Sequence, residues 1–375
     1  MTFIVVLCSL HLYGQTWSAF KRLTWNSGVS HAPSIATNTG NGIYMVWQDS
    51  SPGNREIFYK CSTDKGNTWS GNKRLSWNSG SSESPSIAVD SSNNIHVVWR
   101  DFSPGNYEIY YKRSTDGGIT WSGITRQTWT GSNTLPPFIA VDSGNGIYLV
   151  YADSPKTNLE IYYKRSTDGG ITWSGNKRLT WNSGSSKSPS IAVDPSNGIH
   201  VLWQDYTTGN YEIYYKRSTD GGITWSGITR QTWNSSVSYD SSIAADSSNG
   251  IHVVWADTKS GNPDIYYRRS IDKGNSWSGI TRLTWNTGAS REPSITADSG
   301  SGIHVGWQDE TPGNYEIYYK SSSNGGSTWT GITRLIWNGG GSTVPALAAD
   351  SSNGIHVVWT DETPGNYEIY YKNRK

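Results

Sequence analysis

The chain has 375 residues and a net charge of +1, which gives no electrostatic reason to expect a nucleic acid or an anionic membrane as partner. Only 34% of the residues are hydrophobic, but 20 Trp and 23 Tyr provide enough aromatic surface for a large core. There are two cysteines, Cys8 and Cys61, and no Cys/His spacing typical of a metal site, so we expect no disulfide framework, no metal and no other cofactor.

The pattern of residues 1–15 predicts a secretory signal peptide. Thr2–Tyr13 is apolar but too short to span a bilayer, and Gly14 and Gln15 follow it. No basic segment precedes the apolar run, and the alternative interpretation is a buried first strand. No other segment is long and apolar enough to cross a membrane. We therefore expect a mature domain of residues 16–375 that is secreted, periplasmic or attached to the cell surface.

An octet that ends in Trp organises the rest of the chain. In Ser114–Trp121, Asp116 can accept hydrogen bonds from the N–H groups that follow it, Gly118 can adopt a positive φ, and Trp121 can bury its ring. The octet recurs with a period of 52 residues at Ser62–Trp69, Ser166–Trp173, Ser218–Trp225 and, in looser form, Ser270–Trp277 and Ser322–Trp329. Such a period indicates a repeat architecture.

Each repeat contains four predicted strands. In the second copy they are strand A, Ser86–Asp90, strand B, Ile95–Asp101, strand C, Tyr107–Arg113, and strand D, Trp121–Trp129. Alternating apolar positions, aromatic and β-branched residues, and Gly, Asn and Pro at the turns all favour strands. Four antiparallel strands per repeat are typical of a propeller blade.

The number of blades follows from counting the repeats. Arg-x-x-Trp segments begin at Arg22, Arg74, Arg126, Arg178, Arg230, Arg282 and Arg334. Thr16–Trp25 aligns with the D strands, and the chain ends where a seventh octet would begin. We therefore predict an all-β, seven-bladed β-propeller of four-stranded antiparallel blades. Its ring is closed by the N-terminal strand, which completes the sheet begun by strands A–C of Pro345–Lys372.

The pattern Ser-x-Asp-x-Gly-x-Thr-Trp resembles the Asp box of bacterial sialidase (BNR) repeats. Similar boxes occur in sortilin-type receptors, xyloglucan-degrading propeller enzymes and photosystem assembly factors. The resemblance covers nearly all of residues 16–375 and implies a propeller whose boxes are turns on the face opposite the active site. A sialidase also needs three converging arginines, and here only Arg55, Arg100 and Arg291 depart from repeated columns. The Phe/Tyr-Arg-Ile-Pro segment of sialidases is absent, and sialidases resemble six-bladed rings.

Trp and His also recur in columns of the repeat. Trp occupies three columns, represented by Trp17, Trp25 and Trp47, and we expect all three to pack between blades. Another column contains His96, His200, His252, His304 and His356. Because its members lie on successive blades, they are too far apart to bind one metal ion, and we interpret them as structural.

Side chains that depart from the repeat have a common location. Twenty-five of the 30 acidic residues fall in repeated columns, and the other five are Glu83, Asp240, Glu292, Glu310 and Glu362. The basic, aromatic and histidine exceptions are His31, Arg55, Arg100, Phe102, Lys156, Lys187, Tyr206, Tyr239, Lys259 and Arg291. All fall in or beside D–A connections and B–C turns, which emerge on one face of a four-stranded meander. Varied side chains on a rigid scaffold favour function, and neutral variation of exposed loops is the alternative.

We expect this face to bind a glycan or glycoconjugate, as a secreted lectin-like module does, because aromatic faces beside polar groups suit sugar rings and repeated pockets give avidity. The candidate ligand-binding residues are His31, Gln48, Glu83, Arg100, Phe102, Lys187, Gln204, Tyr206, Gln308, Glu310 and Glu362. For the three glutamines, the alternative interpretation is exposed polar residues at strand ends.

Two other functions stay open. The first is a sialidase-like glycoside hydrolase, in which Asp240 and Glu292, at matching positions of neighbouring repeats beside Tyr239 and Arg291, would be the catalytic residues. Paired carboxylates can act as acid and base or as acid and nucleophile. The second is a protein–protein interaction scaffold, because near-identical copies suit binding or architecture better than one asymmetric active site.

Overall fold

The computed structural model describes residues 16–154 and 158–375, so the predicted signal peptide and Lys156 lie outside the described residues. All regular elements in these two ranges are strands, arranged in seven four-stranded antiparallel sheets. The predicted seven-bladed propeller is confirmed.

The strands are numbered in chain order, and each sheet forms one blade. Blade 1 contains β2 (Ser30–Thr37), β3 (Ile43–Asp49), β4 (Glu56–Ser62) and β5 (Lys73–Arg74). Blade 2 contains β6 (Ser82–Val89), β7 (Ile95–Asp101), β8 (Glu108–Ser114) and β9 (Thr125–Arg126). Blade 3 contains β10 (Phe138–Val141), β11 (Ile147–Asp153), β12 (Glu160–Ser166) and β13 (Lys177–Arg178). Blade 4 contains β14 (Ser186–Val193), β15 (Ile199–Asp205), β16 (Glu212–Ser218) and β17 (Thr229–Arg230).

The remaining three blades follow the same order. Blade 5 contains β18 (Ser238–Ala245), β19 (Ile251–Asp257), β20 (Asp264–Ser270) and β21 (Thr281–Arg282). Blade 6 contains β22 (Ser290–Ala297), β23 (Ile303–Asp309), β24 (Glu316–Ser322) and β25 (Thr333–Arg334). Blade 7 contains β26 (Ser342–Ala349), β27 (Ile355–Asp361) and β28 (Glu368–Arg374), with β1 (Lys21–Arg22) as its fourth strand.

The N-terminal strand closes the ring, as predicted. Lys21 and Arg22 pair with Tyr371 and Tyr370 of β28. The Arg22 guanidinium forms an ion pair with the buried Glu368 carboxylate at 2.8 Å. Because β26 of blade 7 also packs against β2 of blade 1, the last blade contacts the first and the ring is closed.

Strands A and D differ in length from the prediction. Strand A of blade 2 begins at Ser82, four residues early, so positions assigned to D–A connections belong to the A strands. Strand D is only Thr125–Arg126. Before this strand, the Ser122 hydroxyl accepts a hydrogen bond from the Arg113 N–H at 3.1 Å, and the Ser122 N–H donates to the Arg113 carbonyl at 2.9 Å.

The core lies between blades and is built on one Trp column. Trp47, Trp99, Trp203, Trp255, Trp307 and Trp359, with Tyr151 in blade 3, are completely buried. Their indole N–H groups donate to the Asp that ends strand B, at 3.1 Å for Trp47 and Asp49. The column of Trp69 is half-buried, and its member Trp121 packs edge-on against Tyr59 of the preceding blade at 5.0 Å.

The third Trp column contradicts the prediction of packing between blades. Trp25, Trp77, Trp129, Trp181, Trp233, Trp285 and Trp337 are between 58% and 68% exposed. Strand D is the outermost strand of its blade, and these residues follow its end, where no neighbouring sheet covers them. The preceding Leu and Thr positions, such as Leu23 and Thr24, are buried instead and fill the junction between neighbouring blades, which we call the seam.

The histidine column is structural, as predicted. The His200 ring lies between the Tyr215 hydroxyl at 2.6 Å and the Asp194 carboxylate at 3.0 Å, and four other blades repeat this triad. Burial lowers the pKa of His200, while its hydrogen bond to Asp194 opposes that shift. Blade 3 has Tyr148 at the histidine position, and its hydroxyl bonds directly to Asp142.

We call the surface formed by the A–B and C–D turns the turn face. Here Ser143 Oγ donates to Asn197 Oδ1 of the next blade at 2.8 Å, and Ser196 Oγ donates to Asn249 Oδ1 at 2.6 Å. In the Asp box, hydrogen bonds from Thr120 hold the pKa of Asp116 at about 2. These bonds link or order turns, so the boxes are structural.

Candidate functional site

The opposite surface, which we call the loop face, carries a central depression of about 590 Å³ on the propeller axis. The first residues of all seven A strands line it. At one position its wall repeats Pro33, Pro85, Pro137, Pro189, Pro293 and Pro345. Blade 5 has Ser241 there, and the Ser241 hydroxyl is buried without a hydrogen-bond partner. The sequence already contained this signal, because Ser241 is the one exception in an aligned column of prolines.

A β-bulge orients the residue before each of these positions. Six of the seven blades have a non-glycine residue with φ between 49° and 52°, namely Ala32, Ser84, Ser188, Asp240, Glu292 and Val344. The strand register shifts at the same place. In blade 3 the corresponding residue is Pro136, whose ring fixes φ near −65°. The bulge therefore cannot form there, and β10 begins late, at Phe138.

The three candidate glutamines hold this bulge from the preceding blade. Gln48 Oε1 accepts a hydrogen bond from the Ser84 N–H at 2.8 Å, and Gln308 Oε1 accepts one from the Val344 N–H at 3.0 Å. Gln204 Oε1 similarly accepts from the Asp240 N–H at 3.3 Å. All three glutamines are buried, so the alternative interpretation of exposed strand-end residues is wrong. Their side-chain oxygens accept hydrogen bonds from the backbone of the next blade, and any role in ligand binding stays a prediction.

Asp240 and Glu292 project from adjacent blades into the central depression. Burial raises the pKa of Glu292 to about 7, and the neighbouring Asp240 charge adds to the shift. Burial also raises the pKa of Asp240, which the Arg291 charge opposes. Glu292 Oε2 is buried without a hydrogen-bond partner. The pair therefore retains a proton near neutral pH and keeps free acceptor capacity.

The other two members of the predicted catalytic group, Tyr239 and Arg291, lie beside these carboxyls. The Arg291 charge acts on Asp240, Glu292 and Tyr239, and also on Tyr315 of its own blade. Burial raises the pKa of Tyr239. The structure thus brings Asp240, Glu292, Tyr239 and Arg291 into one electrostatic cluster. All four belong to A strands rather than to loops.

Glu83, Arg55 and Arg100 form a separate cluster in which two guanidinium groups pair with one carboxylate. The buried Glu83 carboxylate accepts from Arg55 at 2.5 Å and from Arg100 at 2.8 Å. Arg100 also lies 4.4 Å from the centre of the Tyr107 ring. Because these groups already bind one another, they have less capacity for a ligand than the central carboxyls.

Several residues of the loop face contact aromatic rings. Phe102 and Tyr206 are exposed and lie 5.0 Å from Tyr107 and Tyr211, respectively. Lys187 and Lys259 lie over Tyr rings at 4.2 Å and 4.0 Å, and His31 packs edge-on against Tyr367 at 5.8 Å. These pairs are dispersed among the blades of the loop face rather than gathered in one pocket.

Glu310 and Glu362 are exposed and line a second depression of about 620 Å³ between blades 6 and 7. Tyr315 and the glycine run Gly339–Gly341 complete its wall. No cluster of three metal-ligating side chains occurs within residues 16–154 and 158–375. In the same ranges, no helix is long and apolar enough to span a membrane.

The fold and the repeated boxes define the chain as an Asp-box β-propeller, and comparison with known proteins agrees. The family model for the BNR repeat-like domain matches residues 3–183. The resemblance to Asp-box repeat propellers is thereby confirmed: the chain is a seven-bladed propeller with BNR-like repeats.

Known relatives are similar to parts of the chain or to its fold. Xyloglucanase Xgh74A of Acetivibrio thermocellus is 28% identical over 247 residues, which cover 58% of this chain and 28% of that protein. The chain thus matches little more than a quarter of the length of this curated relative. Among solved structures, a PL25 ulvan lyase has a TM-score of 0.68 at 11% identity and covers 94% of this chain and 95% of its own. The NanB sialidase of Streptococcus pneumoniae has a TM-score of 0.54 at 14% identity and covers 94% and 70%. At such identities the two structures show a common fold alone.

Proposed function

We propose that this protein binds a glycan in the central depression of the loop face. The observation that carries the proposal is the Asp240–Glu292 pair, set in a wall whose other residues, apart from His31, are proline, small or apolar. Sugar hydroxyls are hydrogen-bond donors, and the pair offers buried acceptor oxygens, one of which has no partner. The six wall prolines and Ile35 add apolar surface to the same depression.

The comparisons support this choice of ligand class. The xyloglucanase, the ulvan lyase and the sialidase are by name carbohydrate-active proteins, and they share this fold or part of the sequence. We further propose that the protein acts outside the cytoplasm, as the apolar segment Thr2–Tyr13 suggests.

A glycoside hydrolase is the second candidate, and one observation favours it. Burial raises the pKa of both carboxyls, to about 7 for Glu292, while the Arg291 charge favours the ionised form of each. Glycosidic cleavage uses two carboxyl groups, one of which keeps its proton near the working pH. In this scheme Glu292 would protonate the leaving oxygen, and Asp240 would activate water or attack the sugar.

One set of variants separates the two candidates. We expect wild-type protein to bind a member of a polysaccharide panel in calorimetry, and Asp240→Asn and Glu292→Gln to weaken that binding at least tenfold. Ser188→Ala is the matched control, because Ser188 occupies the same wall position in blade 4 without a carboxyl group. Binding without release of reducing ends favours the binding module, and release that both carboxyl variants abolish favours the hydrolase. Absence of binding to the whole panel, or unchanged binding by both variants, would overturn the proposal.

A further inference from the structure

The exposed tryptophans that follow the D strands form a ring of seven equivalent sites around the outer edge of the propeller. Each indole keeps about two-thirds of its surface in solvent, although Trp is among the residues with the most apolar surface to bury. Scattered exposed apolar side chains need no explanation, but the same exposure at all seven copies of one position does.

Cations fix the orientation of these indoles. In six seams the Arg of the same D strand lies 5.5–5.9 Å from the indole centre, as Arg74 does over Trp77. A Lys or Arg from strand C of the next blade approaches in five seams, as Lys112 does over Trp77 at 4.8 Å. These cations are themselves held, because Lys112 donates to the Leu75 carbonyl at 2.9 Å and Arg74 pairs with Glu56 at 2.7 Å. The indole is thus a preorganised platform.

A groove of about 450 Å³ lies beside the platform at Trp25. Its polar residues are Lys21, Arg22 and Lys60, which lie beside the indoles of Trp25 and Trp69. All of these are hydrogen-bond donors, and the lining contains no carboxylate. The indole N–H of Trp69 is buried, so it is not exposed to the groove, and the equivalent N–H groups of Trp121 and Trp225 donate to the Gly118 and Gly222 carbonyls. A ligand that fits this groove presents acceptors and negative charge above a flat apolar face.

We propose that the groove at Trp25 and the corresponding surfaces beside the other six exposed tryptophans bind the acidic sugar rings of a polysaccharide, each pyranose stacking on one exposed Trp. A carboxylated sugar supplies the flat C–H face for the indole and the acceptors for the donor-only lining. A protein partner fits less well, because each platform is isolated in its own seam, whereas a stable protein interface buries roughly 800 Å² per partner. The sites are separate from the central depression, and the proposal stands whether or not that depression binds a glycan.

If the sites act together, a polymer should bind more tightly than a single sugar ring. A polymer that spans several seams gains roughly 10²–10⁴-fold in apparent affinity over one site. We expect the triple variant Trp77→Ala, Trp181→Ala, Trp285→Ala to lose at least tenfold in affinity for an acidic polysaccharide. Replacement by Phe at the same three positions should restore most of it, since an aromatic platform remains.

The test measures retention on polygalacturonate, alginate and chondroitin sulfate, with dextran as the neutral polymer. The matched control is Ile119→Ala, Ile171→Ala, Ile223→Ala, which removes three exposed apolar side chains from the turn face. We expect the control to be retained on the acidic polymer as well as wild type. An unchanged melting temperature of the Trp variant excludes misfolding.

Four results would overturn the inference. They are no retention on any acidic polymer, equal retention of the Trp→Ala triple variant, equal retention on dextran, and Trp-dependent binding to phosphatidylserine vesicles in place of polysaccharide. Loss of binding in Glu292→Gln with full retention of the Trp→Ala variant would assign glycan binding to the central depression alone.

Discussion

The two faces of the propeller have the same backbone symmetry but use it differently. On the turn face the side chains repeat with the backbone, and Ser–Asn hydrogen bonds connect one blade to the next. On the loop face the bulge repeats in six blades, yet the residue it presents is Ala, Ser, Asp, Glu or Val. Variation at the loop face is therefore not a consequence of irregular loops. It occurs at positions whose backbone conformation is fixed, as in a scaffold that presents chosen side chains.

The largest expected effect concerns the framework shared by both faces. Trp203→Ala removes a completely buried indole and should lower the free energy of unfolding by about 3–5 kcal/mol, because it leaves a cavity between blades. Trp181→Ala, at an exposed position of the same repeat, should change it by less than about 1 kcal/mol. Guanidinium unfolding of both variants measures the difference. Equal losses would contradict the distinction between the buried and exposed columns.

The next effect distinguishes the loop face from the turn face, because a loop-face carboxyl makes the stability of the protein depend on pH. Because the pKa of Glu292 is raised to about 7 in the folded protein, its contribution to stability is fully present below its unfolded value near 4.5 and is lost as pH rises through 7. Glu292→Gln should therefore be more stable than wild type at pH 8.5, by about 1–3 kcal/mol, and equal to it at pH 4.5. Urea unfolding at the two pH values tests this. A constant difference between the proteins would show that the carboxyl is not buried as described.

A smaller effect is expected at the turn face. Asn249 adopts φ of 64° and accepts hydrogen bonds from Ser196 of the preceding blade. Asn249→Ala should cost about 1–2 kcal/mol, since it removes these bonds and places a β-carbon at positive φ. Asn249→Gly loses the same bonds but tolerates this φ, so it should cost less. Thermal unfolding of the pair measures the two contributions, and equal stability of Ala and Gly variants would exclude the conformational one.

The smallest effect is a gain at the loop face. Ser241→Pro restores the residue that the other six blades have, and should raise stability by about 0.4–1 kcal/mol because it restricts the unfolded chain. If Ser241 belongs to the ligand site, glycan binding falls in this more stable protein. A loss of stability would show that blade 5 has diverged from the common backbone.

The sequence predicted the scaffold well because aligning the repeats reveals the strand boundaries and the number of blades. Strand B of blade 2 matches at both ends, and β1 closes the ring as the offset of Thr16–Trp25 required. The Trp25 column was predicted wrongly, because repetition alone does not reveal which side of the outermost strand lacks a neighbour. The central carboxyls were identified as exceptions to the repeat. Their location on the axis, however, depends on the bulge that turns Asp240 and Glu292 inward, and a pattern of residue types does not contain that conformation.

The lysines that bridge neighbouring blades allow the opening of each blade junction to be followed by chemical labelling. Six seams have a strand C lysine, such as Lys216, whose ammonium donates to the D strand of the preceding blade, and Arg268 fills this role in the seventh. Each of these lysines is largely buried in the folded ring. An amine-reactive label should therefore react with it faster when two blades separate. Mass spectrometry of the labelled peptides can then report which junction opens first.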